Sequence, residues 1–235
     1  MKIQSTKDIK QFNIKAIIFG QSSSGKTTLA ASLKKVLVIS AEGGLLSIAN
    51  RDIDYIDITK NEEGELCGPE ERMTNLFNVY KMLQEDEYKN KYENIYIDSL
   101  SEIGSQLVAK LQLEYPEAKD GLVMWGKYNK DITQLIKAFR DLPYYNVFFT
   151  ALSTIDEDEN KKRFVGIQLN GSISSRLPQY FDEVFYLGIG EDEKRFILTS
   201  ATEKILAKDR SGKLEKFEEA HLGNIINKIQ GVENV

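Results

Sequence analysis

A chain of 235 residues that is 41% apolar and 29% charged holds enough hydrophobic sequence for one sizeable core, and an α/β sheet of this length usually forms one domain. A single cysteine, Cys67, excludes an internal disulfide and any multi-cysteine zinc site, which suits a reducing compartment. The formal net charge of −5 argues against coating nucleic acid by bulk charge, although a local groove needs only the few Lys and Arg that touch phosphate.

The start Met1-Lys2-Ile3-Gln4-Ser5 is polar and no apolar run approaches membrane length, so a cytoplasmic setting without membrane association is expected. Residues 1–13 read as a polar lead, and 14–235 as one domain. Ile14-Lys15-Ala16-Ile17-Ile18-Phe19 is a strand, and Leu29-Ala30-Ala31-Ser32-Leu33 is helix-permissive. Between them stands Gly20-Gln21-Ser22-Ser23-Ser24-Gly25-Lys26-Thr27-Thr28, a P-loop on a strand-to-helix turn. Gly20 and Gly25 let the backbone wrap an anion, so that N–H groups from Gln21 to Thr28 and the helix start point at phosphate. Lys26 reaches the β- and γ-oxygens of ATP or GTP, and the Thr27 hydroxyl is a ligand for Mg²⁺.

Val36-Leu37-Val38-Ile39-Ser40 fits a strand buried on both faces. Ligands of open α/β sheets collect at the carboxyl ends of strands. Glu42 therefore sits at the tip of what is expected to be the strand beside the P-loop strand, able to polarise a water aimed at the γ-phosphate; the alternative is an exposed loop glutamate. Residues 53–58 alternate like a half-exposed edge strand. Pro69 opens a covering helix through about Glu87, with Met73, Leu76, Phe77, Tyr80 and Leu83 at helical spacing.

Asn94-Ile95-Tyr96-Ile97-Asp98-Ser99 has the form of a Walker B strand, with Asp98 across from Thr27 holding Mg²⁺ through water; alone, such an aspartate is as readily an N-cap. Ser99 and Glu102 fit a capping box, which gives Glu102 a structural explanation. A helix to about Leu113 and another over residues 123–139 follow, the latter with Trp125, Tyr128, Ile132, Leu135, Ile136 and Phe139 as a core stripe. The strand Tyr145-Asn146-Val147-Phe148-Phe149-Thr150 ends in a threonine that either senses the γ-phosphate or is chemically inert.

From Ile155 a charge block and the turn Asn170-Gly171-Ser172 make residues 151–172 a mobile excursion or hairpin. Lys161, Lys162, Arg163 and Arg176 are candidate phosphate contacts, although a charge run is usually a solvated face. Strands are expected at 183–187, 195–199 and 203–208 as an antiparallel extension, then a helix from Phe217 to Ile229. His221 reads as a surface or capping residue.

The runs Ser23-Ser24-Gly25-Lys26-Thr27-Thr28, Ala41-Glu42-Gly43, Ile95-Tyr96-Ile97-Asp98-Ser99 and Ala207-Lys208-Asp209-Arg210-Ser211-Gly212 together resemble the RecA-type ATPase core over roughly residues 14–215. More closely they resemble phage nucleotide-binding proteins of the AAA type that include the Sak-type single-strand annealing ATPases. The resemblance implies an α/β RecA-like P-loop NTPase: a mostly parallel sheet flanked by helices, with a late antiparallel extension. It also implies Glu42 as catalytic glutamate, and Lys208 and Arg210 as a pair that contacts the γ-phosphate of a neighbouring subunit in a ring or filament. The implied partners are further copies of the chain, single-stranded DNA and a single-strand-binding protein, with recombination as the process. A P-loop nucleotide or small-molecule kinase and a non-catalytic ATP-gated assembly module stay open as alternatives.

Overall fold

The computed structural model describes residues 13–117, 121–157 and 161–232. All of the polar lead except Asn13 lies outside these residues. The first strand, β1 (Lys15–Gly20), enters the P-loop and a short helix, α1 (Lys26–Leu29), which tightens into a 3₁₀ turn over Ala30–Ser32. Next come β2 (Val36–Ser40), β3 (Asp54–Asp57), α2 (Pro69–Met82), α3 (Asp86–Lys91), β4 (Asn94–Asp98), α4 (Leu100–Glu114) and α5 (Gly121–Arg140). The chain finishes through β5 (Asn146–Glu157), β6 (Arg163–Ile167), a 3₁₀ segment Gly171–Tyr180, β7 (Glu183–Ile189), β8 (Arg195–Leu198), β9 (Lys208–Asp209), β10 (Phe217–Glu219) and α6 (Leu222–Gln230).

One sheet runs in the order β10-β8-β7-β1-β5-β4-β2-β3, with β6 added to β5 and β9 to β7. The segment from β7 to β3 is parallel, whereas β8, β9 and β10 are antiparallel additions. This is the mostly parallel, helix-flanked α/β P-loop fold expected from the sequence. The continuous apolar runs follow from burial on both sides. Successive residues alternate between faces: Ile17, Phe19, Ile95, Ile97, Val147 and Phe149 pack with α2, α4 and α5, while Ala16, Ile18, Val38, Tyr96 and Phe148 pack with the P-loop helix and α6.

Several elements depart from the sequence reading. β2 is not beside β1, because β5 and β4 stand between them. The helix from Pro69 ends at Met82, and α3 is separate; Phe77, expected inward, is 53% exposed and stacks on Tyr80 at the surface. Residues 203–208 do not form a strand of that length. A single bridge joins Ile205 to Val165, and pairing with β7 is confined to Lys208 and Asp209. Phe217 belongs to β10, paired with Leu198, so the last helix starts later, at Leu222. His221 caps it, its Nδ1 accepting from the Asn224 N–H at 3.1 Å. As expected of a hairpin, β5 continues to Glu157 and pairs antiparallel with β6 from Ser153↔Ile167 to Glu157↔Arg163; residues 158–160 of the charge block lie outside the described residues.

The amino edge of the sheet holds a buried acid. Glu183 opens β7, is 2% exposed and faces Asp209 across the β7–β9 ladder. Burial and the neighbouring Asp209 charge push its carboxyl up from 4.5 to about 8. A group raised in the folded state holds a proton there that the unfolded chain has released, so stability falls as pH rises from about 4.5 to about 8. Urea unfolding across this window should show that decline in the wild type and a clearly flatter profile in Glu183→Gln.

Candidate functional site

The site is built where β1, β4 and β2 end and where β5 passes through Thr150. Gly20 closes β1 in a tight place: a Cβ there would stand 2.6 Å from the Leu187 carbonyl and 3.0 Å from Ser24 Oγ. The loop then turns with Ser23 at φ 64° and Gly25 at φ 99°. Such left-handed steps point consecutive N–H groups into one concavity, the geometry of a backbone anion nest. Ser24 is buried, and its hydroxyl has no hydrogen-bond partner among the described residues. Gln21, Ser22, Ser23 and Thr28 are exposed.

Lys26 is 8% exposed and folds back along the loop, donating to the carbonyls of Gly20 at 3.0 Å and Gln21 at 2.7 Å. Burial lowers its pKa, and the Asp98 and Glu42 carboxylates oppose that shift. Tyr96 Oη, from β4, donates to the Lys26 carbonyl at 2.5 Å. This bond ties the first turn after the loop to the middle of the sheet.

Asp98 gathers the remaining groups. Thr27 Oγ1 donates to its Oδ2 at 2.6 Å, and Thr150 Oγ1 donates to its Oδ1. Thr150 is fully buried, so its hydroxyl serves the Asp98 carboxylate. Ser99 Oγ donates to Glu42 Oε1 at 2.5 Å and accepts from the Glu102 N–H at 3.3 Å, capping α4. Glu102 itself turns outward to Gln106 Nε2 at 2.7 Å. Although β2 is not the neighbour of β1, Glu42 reaches this cluster, because the Ala41 N–H bonds the Asp98 carbonyl at 2.6 Å and carries the end of β2 past the end of β4.

Lys208 and Arg210 are not brought to the P-loop. They lie at the amino edge, where β9 meets the start of β7. Lys208 Nζ donates to the carbonyls of Pro178 at 3.0 Å and Phe181 at 2.6 Å, and Arg210 pairs with Asp182 at 2.7 Å. Between them, Asp209 organises the turn by accepting from Ser211, Gly212 and Leu214. Of the candidate nucleic-acid cations, Lys162 pairs with Glu203 at 3.2 Å and Arg163 with Glu157 at 3.0 Å, while Arg176 is exposed.

Two groups at the site go beyond the sequence reading. Ser99 reads from sequence as a cap alone, yet its place after the strand-end aspartate brings it to Glu42. Arg195, whose Nε donates to the Ser24 carbonyl at 2.9 Å, gives no local signal, since 171 residues separate the partners.

A strand, a left-handed glycine loop, a buried lysine and a hydroxyl–aspartate contact on one parallel sheet define a P-loop nucleotide-binding domain. The AAA domain family model matches residues 12–211, and the chain belongs to that family of P-loop ATPase domains. No curated protein matches. Among solved structures the chain is similar to one described as a "prototypical ATPase from the type III secretion system of pathogenic bacteria", with 13% identity, a TM-score of 0.49, and coverage of 75% of this chain and 52% of that one. No helix among the described residues is long and apolar enough to cross a membrane.

The Thr150 hydroxyl is a structural partner of a buried carboxylate. Removing it in Thr150→Val should lower stability by about 1–3 kcal/mol, the cost of an unsatisfied buried acceptor, read as a shift in the urea midpoint.

Proposed function

We propose that this domain binds ATP at the P-loop and hydrolyses it, and the observation that carries the reading is the 2.6 Å contact between Thr27 Oγ1 and Asp98 Oδ2. Two hard oxygen donors meeting beside a P-loop fit Mg²⁺. The unpartnered Ser24 hydroxyl and the close packing at Gly20 fit a loop shaped around phosphate. Thr27 directly, and Asp98 through water, would hold the ion, which when bound neutralises charge on the phosphoryl oxygens.

The other steps belong to the chain's own groups. Lys26 exchanges its bonds to Gly20 and Gln21 for phosphate oxygens. Thr150 keeps Asp98 oriented. Glu42 acts as general base, taking a proton from the attacking water, and the Ser99 hydroxyl holds its Oε1 so that the other oxygen faces the water. Glu42→Gln should lower turnover by about 10²–10⁴-fold, the usual worth of a general base, while ATP affinity measured calorimetrically stays close to wild type. Full activity in this variant would remove Glu42 from the mechanism.

We further propose that the domain assembles into a ring or filament and acts on single-stranded DNA in recombination, with a single-strand-binding protein as partner. Support for the DNA substrate is the resemblance of the P-loop, strand-end and Lys208–Gly212 motifs to the annealing ATPases. A cation supplied in trans from the amino edge requires head-to-tail stacking, with one copy's amino edge over the next copy's P-loop. Lys208 is committed to two carbonyls, so Arg210, whose side chain is 69% exposed and has, among the described residues, only its surface pair with Asp182 to exchange, is the member of the pair that takes this role. Arg210→Ala should reduce ATPase activity at assembling concentrations by on the order of 10²-fold or more, leaving the dilute, unassembled rate unchanged. Failure of single-stranded DNA to bind at low salt or to alter the ATPase rate would end the recombination reading.

A further inference from the structure

Arg195 opens β8 directly across from Ile189 at the end of β7. The β7–β8 hairpin therefore delivers it to the P-loop from the flank of β1 opposite Asp98 and Glu42. Its Nε donates to the Ser24 carbonyl at 2.9 Å. The guanidinium lies against Gly25, where a Cβ would stand 2.4 Å from Nε and 3.2 Å from Cζ. That position requires glycine for its φ of 99°, and a side chain there would also displace Arg195. In the hairpin tip, Asp192 is engaged by Lys194 at 3.5 Å. Arg195 itself is exposed, so its cation is anchored to the loop at Nε while the residue stays open to solvent.

An arginine anchored at Nε beside a P-loop offers its guanidinium plane as a stacking surface for an aromatic ring, a role that a lysine ammonium on a flexible stem does not fill. With Lys26, Thr27 and Asp98 holding the phosphoryl end on the β5–β4 side of the loop, the β7 side, where Arg195 stands, is left for the nucleoside. We propose that the open face of the Arg195 guanidinium is the shelf on which the base of the bound nucleotide stacks, favouring purines for their larger ring area. This inference rests on nucleotide binding at the P-loop and adds a base-contacting residue to it.

Calorimetry with ATP, ADP and inorganic tripolyphosphate, on the wild type, Arg195→Ala and Arg195→Lys, tests the shelf. The expected result is an equal loss of about ten-fold in ATP and ADP affinity for Arg195→Ala, a similar loss for Arg195→Lys, and unchanged tripolyphosphate affinity in both. Unchanged ATP affinity in Arg195→Ala would overturn the proposal. So would a tripolyphosphate loss equal to that for ATP, which would make Arg195 a support of the loop backbone, and so would full rescue by lysine, which would make it a point charge. A wild type that binds neither ATP nor tripolyphosphate would sink the P-loop reading itself, whereas strong wild-type binding with an indifferent Arg195→Ala sinks the shelf alone.

Discussion

The arrangement depends on how one carboxylate is held. Asp98 ends the strand β4, and its two oxygens are taken by hydroxyls from two other elements, Thr27 at the start of α1 and Thr150 in β5. The three positions derive from β1, β5 and β4, consecutive strands of a parallel sheet. Strands spaced about 4.8 Å apart place the P-loop and the aspartate two spacings from each other, so the interposed strand supplies the second hydroxyl. The apolar alternation on both faces fixes the register that makes this meeting possible, since a one-residue slip in any of these strands would turn Asp98 or Thr150 to the other side.

Much of this was legible in the chain because the signals are local. The P-loop, the buried strands and the strand-end aspartate are each written in fewer than about ten consecutive residues, and the family of strand–loop–helix structures they belong to constrains the rest. The failures were of a different kind. That β4 and β5 separate β2 from β1 is a matter of strand order, which no stretch of sequence states. Glu42 nevertheless arrives beside Asp98, because the end of β2 is bonded to the end of β4. The short β9 and β10 differ from the expectation because residues 203–208 and Phe217–Glu219 are too short for periodicity to separate strand, loop and helix. Phe217 looked like the first apolar position of a helix, yet its ring packs edge-on against Phe196 of β8.

The two edges of the sheet have different characters. At the carboxyl edge, Asp98, Glu42 and Lys26 are held by hydroxyls and carbonyls beside a concave loop, an arrangement open to exchange for a ligand. At the amino edge, Lys208 is committed to carbonyls, Arg210 to Asp182, and Asp209 to its own turn, while Lys15 Nζ is bonded to the carbonyls of Leu142 and Tyr145. Charged residues there complete backbone groups left over where loops leave the sheet, the ordinary work of polar side chains at strand ends. Asp209 builds the turn of Lys208-Asp209-Arg210-Ser211-Gly212, and of its two cations Arg210 keeps its side chain exposed.

Ser99 joins two things usually treated apart. Its oxygen caps the first turn of α4 and at the same time grips Glu42. The rotation of one side chain is therefore shared between a fifteen-residue helix and the carboxylate at the nucleotide site, so α4 cannot shift at its amino end without re-aiming Glu42. The same hydroxyl therefore couples the seating of the first turn of that helix to the orientation of the Glu42 side chain.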